Sequence, residues 1–399
     1  MGLPRKKKIA VILFGVVLPF ISALLIFNLF LLPETVTLVE DSTVTASTSS
    51  NVVTVKAFGV LPVKNVEVKV VPGQKVFVSG TPIGIKMQSK GILVTGYIGF
   101  LSKENIYVTP ARDSGLRIGD RILEIDGKEV NDCDELISLI ENSKKPEHTF
   151  TVDRMGSIMK IKSKSCQDGS TGKNRLGLWI KDSAAGIGTL TFYDKKTGFF
   201  GALGHGITDG NTSKTFELSG GELYKATILD VTKGIPGCPG ELKGCFTNTE
   251  RVLGNVMVNS DTGVFGVMSK EGFSDCTGKE MFIGSSNQVK TGKATILSTI
   301  GDGRPKEYEI EITKVNKMKV KSPKGIVIKI TDKELLDATG GIVQGMSGSP
   351  IIQNGRLIGA VTHVMVNDPS TGYGVFIEGM LANYEHVNKT NNTHLDLAS

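Results

Sequence analysis

The chain has 399 residues, enough for two or three domains, and its 48 glycines, 14 prolines and 40% hydrophobic residues suit a globular, turn-rich protein built mainly of strands. The formal net charge is +6, but residues 5–8 supply four of these charges, and residues 1–32 contain no acid. With one tryptophan and no long basic run beyond the N-terminus, the composition gives no support to nucleic-acid binding.

The N-terminus predicts a membrane anchor. Residues 2–8 are basic, and an almost uninterrupted apolar run of 24 residues follows from Ile9 to Leu32. Such a run is long enough to cross the bilayer as a helix, and the preceding positive charge predicts a cytoplasmic N-terminus with the rest of the chain outside. A cleaved signal peptide is the alternative, but its apolar region is usually about 7–15 residues long. We therefore expect a cytoplasmic stub and an uncleaved transmembrane signal anchor in residues 1–35.

Residues 36–71 are expected to form an extracytoplasmic linker that ends in an early strand. The stretch 40–56 is rich in Ser, Thr and Val, which is typical of exposed linkers. From Val60 to Val71, apolar and polar residues alternate, as they do in a half-buried strand.

Residues 72–166 carry a second recognisable pattern. The stretch from Ser114 to Val130 reads SGLRIGDRILEIDGKEV, and the segment after Asp132 places Leu136, Ile137 and Ile140 on one helical face. Strands at 150–154 and 158–162 close the unit. The whole unit resembles a bacterial PDZ domain (α+β).

In PDZ domains a peptide adds as a strand beside the second strand, and the backbone N–H groups of the preceding loop hold its terminal carboxylate. The resemblance places this loop at Pro82, Ile83, Gly84 and Ile85. A peptide tail is therefore an expected partner, and a PDZ unit that only packs against its neighbour is the alternative.

A polar linker at 167–175 precedes a strand-rich region, residues 176–399, for which a sandwich or barrel is expected. A single helix is predicted there, at 331–338, with Thr331 or Asp332 as its cap. The predicted strands are 176–180, 188–193, 227–231, 252–258, 263–268, 293–298, 308–315 and 325–330.

Two glycine-flanked polar residues in this region indicate nucleophilic catalysis. His205 lies in GHGITD, and Ser347 lies 142 residues later in GMSGSP. Each has a structural alternative, a surface histidine or an ordinary Gly/Ser turn, but this order of base and serine is that of chymotrypsin-like β-barrel proteases. By analogy, the N–H groups of Gly345 and Ser347 form an oxyanion hole. His363, on the strand after the serine, is the rival base, although its position predicts contact with bound peptide.

An N-terminal anchor, a PDZ unit, and a C-terminal region carrying GHGITD and TGGIVQGMSGSPI together resemble the SpoIVB peptidases, family S55, of endospore-forming bacteria. The resemblance implies a signalling serine endopeptidase secreted by the forespore into the space between its membrane and that of the mother cell. There it would cleave a regulator of an intramembrane protease, so that a late sigma factor is activated, and would also process itself. An HtrA-like quality-control protease and a PDZ scaffold with an inactive peptidase fold are the alternatives.

The family pattern gives Asp332 the role of orienting acid. Asp261, 56 residues after His205, suits the chymotrypsin order better and stays open, with Asp209 a third candidate. Met346 precedes the serine where digestive proteases carry an acid that pairs with a freed N-terminus. Activation by N-terminal insertion is therefore not expected, and the PDZ unit is the candidate for control.

Five cysteines are present, at positions 133, 166, 238, 245 and 276. Their spacings match no zinc signature, and the chain has neither a P-loop nor a GxGxxG opening a helix, so neither a metal nor an organic cofactor is predicted. Cys238 and Cys245 either close a small loop as a disulfide or remain free thiols.

Overall fold

The computed structural model describes residues 35–39, 52–57, 61–71, 74–208, 215–301 and 303–398. They belong to two compact units, residues 1–74 and 75–399. The predicted anchor lies outside the described residues, and within them no helix has the length and apolar character needed to cross a membrane.

The described part of the first unit is a three-stranded sheet of β1 (Thr35–Val39), β2 (Val52–Ala57) and β3 (Leu61–Val71). The central strand is β3, which is parallel to β1 and antiparallel to β2. The early strand predicted at 60–71 is confirmed. Part of the predicted linker is strand as well, because β2 pairs with β3 over its whole length.

The second unit contains the remaining elements. Its strands between residues 75 and 175 are β4 (Lys75–Val78), β5 (Pro82–Tyr97), β6 (Phe100–Leu101), β7 (Tyr107–Val108), β8 (Arg121–Ile125), β9 (Lys128–Glu129), β10 (Glu147–Arg154), β11 (Ser157–Lys164), β12 (Cys166–Gln167) and β13 (Asn174–Arg175). The later strands are β14 (Leu178–Tyr193), β15 (Phe199–Ala202), β16 (Leu218–Thr232), β17 (Glu241–Thr247), β18 (Gly254–Ser260), β19 (Gly263–Met268), β20 (Lys279–Phe282), β21 (Gly292–Ser298), β22 (Lys306–Val315), β23 (Ile326–Ile330), β24 (Pro350–Gln353), β25 (Arg356–Met365) and β26 (Asp368–Phe376). The helices are α1 (Pro110–Asp113), α2 (Cys133–Glu141), α3 (Lys270–Asp275), α4 (Lys333–Thr339), α5 (Ile377–Leu381) and α6 (Tyr384–Ala398).

A first barrel is closed by six antiparallel strands in the order β5-β16-β18-β19-β15-β14, with β14 pairing back onto β5. Alternate residues of each strand point inward, so a short β-strand contributes every second side chain to the core. Ile83, Ile85 and Met87 of β5 are at most 1% exposed and pack there with Leu190 and Leu223.

The PDZ-like unit is inserted between the first two strands of this barrel. Strand β5 pairs with β16 through its first half and with β14 in both halves, and it pairs with β8 of the PDZ-like sheet at Ile92 and Leu93. Gly91, at the change of sheet, has φ +74°, and a Cβ there would lie 2.6 Å from the carbonyl oxygen of Ile122. Only glycine therefore fits where the strand passes from one sheet to the other.

This insertion corrects the predicted boundaries. Residues 75–78 and 82–89, which the sequence pattern assigned to the PDZ unit at 72–166, form β4, which pairs with β14 and β20, and the part of β5 that closes the barrel. The region predicted to fold from residue 176 onward is thus completed by β4 and β5. The PDZ-like unit has its own apolar core, which includes Ile92, Leu136 and Phe150.

A second barrel is closed by β21-β22-β23-β26-β25-β24. Its core includes Ile310, Ile328 and Phe376, each at most 1% exposed.

All eight strands predicted in residues 176–399 overlap observed strands, and the helix predicted at 331–338 is α4. The sequence missed α3, α5 and α6, which lie outside its clearest patterns. The chain is mainly β, as expected.

Candidate active site

The loop between α4 and β24 carries Ser347 and is held by β14. Thr189 donates from its backbone N–H to the carbonyl oxygen of Ser347 at 2.9 Å and from its Oγ1 to that of Gly345 at 2.9 Å. Gly348 has φ +95°, and a Cβ there would lie 2.1 Å from the carbonyl oxygen of Thr189. The GMSGSP motif therefore needs its glycines for close approach to a neighbouring strand.

The structure brings the two predicted catalytic residues together. His205 follows β15, and its Nε2 lies 3.1 Å from Ser347 Oγ. His205 Nδ1 lies 2.9 Å from the carbonyl oxygen of Gly206, which can only accept, so the neutral ring carries its proton on Nδ1 and leaves Nε2 as an acceptor. This is the tautomer that a general base for serine requires.

The serine hydroxyl has a second acceptor. Ser347 Oγ lies 2.8 Å from the carbonyl oxygen of Thr362 on β25. Because a hydroxyl has one proton, it donates either to Thr362 or to His205 Nε2. While the hydroxyl donates to the Thr362 carbonyl, the serine is not activated by the histidine. Rotation of the O–H towards His205 Nε2 prepares it for attack.

Backbone donors for an oxyanion are also present. Among the described residues, no acceptor lies within hydrogen-bond range of the N–H groups of Gly345 and Ser347, whereas Met346 N–H donates to the carbonyl of Val343 at 3.2 Å. The Gly345 backbone has φ +93°. The Met346 side chain is fully buried in the second barrel. Because it is also uncharged, it cannot form an ion pair with a freed N-terminus.

His363 packs against His205, and among the described residues the partners of Ser347 Oγ are His205 and the Thr362 carbonyl, not His363. The two ring centroids are 4.5 Å apart. Burial is the main cause that lowers the pKa of His363 to about 4, with smaller contributions from His205 and Lys324. Burial also lowers the pKa of His205, against the opposing effect of its hydrogen bond to Gly206. Both rings are therefore neutral at neutral pH.

Asp332 does not contact His205, which corrects the expectation from the family pattern. Its Oδ1 accepts from Leu335 N–H at 3.0 Å and its Oδ2 from Glu309 N–H at 3.3 Å. Asp332 is thus the N-cap of α4, the alternative role considered for it.

Asp261, the rival acid, lies exposed in the turn between β18 and β19. Among the described residues no carboxylate hydrogen bonds to His205, and Asp209 lies outside them. The imidazole is oriented here by a backbone carbonyl instead of an acid.

Sequence reasoning missed Asn259, which holds the segment that follows His205. Its side chain accepts from Ile207 N–H at 2.8 Å and donates to the carbonyl oxygens of Ile207 and Phe216, both at 2.9 Å. An amide that satisfies a strand-like backbone from both sides fixes that backbone in place. Its position two residues before Asp261, in the turn sequence NSDTG, was the available signal.

The predicted carboxylate loop at Pro82–Ile85 is wrong. These residues are buried and lie in β5, which pairs with Ile187, Gly188 and Thr189 of β14 on one side and with β16 on the other. Backbone N–H groups in a strand paired on both edges are already used, so none is left for a peptide carboxylate.

An apolar groove of about 400 Å³ lies instead between α2 and the start of β14. Its apolar lining comes from both sides and consists of Leu136, Ile137, Ile140, Leu176, Leu178 and Ile180. The helical face predicted from spacing forms one wall.

The turn before β14 supplies free donors at one end of this groove. Gly177 has φ +73°, and among the described residues no acceptor lies within hydrogen-bond range of the N–H groups of Leu176 and Gly177. The neighbouring cations are already ion-paired, Lys173 with Glu141 at 2.7 Å and Arg175 with Asp168 at 2.6 Å. The signal in the sequence was a second apolar-Gly-apolar triplet, Leu176-Gly177-Leu178, directly before a strand.

Within the described residues, no cluster of three or more His, Cys, Asp or Glu side chains could hold a metal ion. All five cysteines are free thiols, so Cys238 and Cys245 do not form the disulfide considered for them.

The model of the SpoIVB peptidase S55 family matches residues 172–381, just over half of the chain. This chain belongs to the SpoIVB peptidase S55 family. It is a serine endopeptidase, and a PDZ domain model matches residues 83–162 in addition. The family resemblance expected from the two glycine-rich motifs is confirmed.

Solved structures give weaker similarities, and no curated protein matches. The PDZ domain of an SdrC-like protein from Listeria monocytogenes is 23% identical over 23% of this chain and 87% of its own, with a TM-score of 0.19. The active form of the Rv3671c protease from M. tuberculosis is 14% identical over 50% of this chain and 74% of its own, with a TM-score of 0.29. The HtrA-type protease AlgW with a decapeptide is 12% identical over 59% of this chain and 55% of its own, with a TM-score of 0.29.

Proposed function

We propose that Ser347 and His205 are the catalytic pair of this endopeptidase. The observation that carries the proposal is the 3.1 Å contact between His205 Nε2 and Ser347 Oγ, in a ring whose other nitrogen donates to Gly206. This geometry needs only rotation of the serine O–H from the Thr362 carbonyl towards Nε2 for proton transfer.

In the proposed mechanism, Ser347 Oγ attacks the scissile carbonyl carbon while its proton moves to His205 Nε2. The carbonyl oxygen becomes an oxyanion, which accepts from the N–H groups of Gly345 and Ser347. His205 then gives the proton to the leaving amine, and the C–N bond breaks. Water attacks the acyl-enzyme in the second half-reaction, again with His205 as base.

The Gly206 carbonyl takes the orienting role that a carboxylate has in a triad. A neutral carbonyl fixes the ring but stabilises the imidazolium less than a carboxylate does, so this pair depends more on the oxyanion donors. Asp332 contributes through the α4 cap, which sets the start of the loop that leads to Ser347.

The substrate is proposed to be a protein whose tail binds the PDZ groove. An apolar groove beside a strand edge, with free N–H groups at one end, suits an extended peptide with a terminal carboxylate. Two N–H donors and apolar walls supply the recognition, because the cations near the groove already have acidic partners.

In the cell, we propose that the substrate is a membrane-associated regulator of an intramembrane protease, cleaved in the forespore intermembrane space so that a late sigma factor is activated. The family membership and the apolar N-terminal run support this role, as they support self-processing and an anchored, extracytoplasmic enzyme. Replacing the gene with its Ser347→Ala form in a sporulating strain tests it. A late sigma-factor reporter that still turns on at the normal time would refute the signalling role.

The catalytic assignment is tested by labelling the full chain in detergent with a fluorescent fluorophosphonate. We expect labelling of wild type, none of Ser347→Ala, and a rate reduced at least about 10³-fold in His205→Ala. His363→Ala is the matched control and should label within about tenfold of wild type. Folded wild type that takes no label would favour the scaffold alternative, and loss of labelling in His363→Ala alone would make that residue the base.

A further inference from the structure

Strand β14 connects the PDZ groove with the catalytic loop. It runs for 16 residues, from Leu178 in the wall of the groove to Tyr193 beyond Thr189, which donates to Ser347. On one side it pairs with β5 from Leu178 to Thr189. On the other side β15 pairs only with residues 190–193, so within the described residues the edge from Leu178 to Gly188 has no partner strand.

The open edge is the one on which Ser347 lies. Thr189 N–H donates to the carbonyl of Ser347, and Thr189 C=O accepts from Leu203 N–H at 3.3 Å, while the next residue, Leu190, donates to Thr81 on the β5 side. Backbone groups of alternate residues face the same edge of a strand. Ile187 and, further from the site, Ala185 therefore present their N–H and C=O groups to the open edge, where Ala185 is exposed.

The chain direction of β14 fits a substrate that is bound both in the groove and at the active site. A segment that adds antiparallel to β14 has its C-terminus at Leu178 and its upstream residues towards Ser347. The free N–H groups of Leu176 and Gly177, which suit a terminal carboxylate, lie at that same end. A parallel segment would instead place its N-terminal ammonium group beside these N–H donors, which cannot accept a hydrogen bond from it.

We propose that one extended substrate segment occupies the PDZ groove and the active site together, paired along the open edge of β14. Its free C-terminus lies at Leu176 and Gly177, and the bond that Ser347 cleaves lies upstream by the length of the edge. Between Leu178 and Gly188 a strand spans roughly 33 Å, so the scissile bond lies about ten residues from the C-terminus. This inference rests on the proposed function, and it makes distance from a free C-terminus a determinant of specificity.

The test uses a mixture of 24-residue peptides with randomised internal positions, digested by the full chain and read by mass spectrometry. Randomisation removes the unknown side-chain preference, so the readout is the distance from each cut to the C-terminus. We expect cuts about 9–12 residues from a free carboxylate to be enriched about fivefold or more over other distances. The same mixture with amidated C-termini should lose this enrichment.

Two surface variants test the groove. Ile137→Glu places a charge in the groove wall at a residue that is 42% exposed, so the fold tolerates it, and the enrichment should disappear. Ile158→Glu, at a 62% exposed residue of β11 that does not line the groove, is the matched control and should keep it.

The outcomes separate this inference from the catalytic assignment, because fluorophosphonate labelling of Ser347 is measured in every sample. Normal labelling with cuts at all distances, or with equal cutting of acid and amide peptides, overturns the distance rule and leaves the peptidase assignment intact. That result would mean that the groove holds a partner other than the substrate. Folded protein without labelling overturns both.

Discussion

The inserted position of the PDZ unit predicts that residues 176–399 alone do not form the peptidase. This fragment lacks β4 and β5, and with them Ile83, Ile85 and Met87, which are at most 1% exposed. Burying each such side chain contributes about 2 kcal/mol, so the three together contribute about 6 kcal/mol. The four lost strand pairings, of β4 with β14 and β20 and of β5 with β14 and β16, add to this loss. Domains are stable by about 5–15 kcal/mol, so the loss is comparable to the whole stability.

The control for this fragment removes the PDZ unit but keeps β4, the first half of β5 and most of β14. Gln88 of β5 lies opposite Ser183 of β14, so replacing residues 90–181 by Asn-Gly turns the two strands into a hairpin. We expect this form to fold and to label with fluorophosphonate, while the fragment 176–399 does neither. Circular dichroism with urea unfolding measures folding, and labelling measures the site. A cooperatively unfolding, labelled 176–399 fragment would refute the closed six-stranded barrel.

Three further predictions concern the site. Asp332→Ser keeps a helix cap, so it should retain activity within about tenfold, whereas loss of a triad acid costs about 10⁴ in kcat; a 10⁴-fold loss with unchanged Tm would restore Asp332 as the acid. Gly345→Ala forces a side chain onto a backbone at φ +93° with its Cβ 3.0 Å from Leu242, so kcat should fall about 10²–10³-fold without loss of folding, and an unchanged kcat would count against the oxyanion role. The pKa of His363 is lowered in the fold from 6.5 to about 4, so its stabilising effect is complete above about pH 6.5 and is lost as the pH falls towards 4. Urea unfolding should therefore show a smaller acid-induced loss in His363→Phe than in wild type, and equal losses would contradict the burial argument.

The sequence alone was sufficient for the family and for singling out His205 and Ser347, which the structure places 3.1 Å apart. Glycine-flanked residues such as His205 and Ser347 are visible because the close backbone approach required around them admits few side chains. Strand periodicity predicted eight strands from residue 176 onward that overlap observed ones, since the alternation of buried and exposed residues is local, but it did not assign β5 to the first barrel. These features depend on neighbours in the chain, which a sequence pattern records.

The position of the apolar groove between α2 and β14 was decided by the tertiary structure. Two apolar-Gly-apolar triplets, Ile83-Gly84-Ile85 and Leu176-Gly177-Leu178, suit a PDZ loop equally well. Closure of the barrel uses both edges of the first, so that only the second keeps free N–H groups. In the same way, only the tertiary structure shows that the Asp332 carboxylate caps α4 and makes no hydrogen bond to His205. Which edge of a strand is paired depends on residues distant in the chain, and no local pattern encodes that.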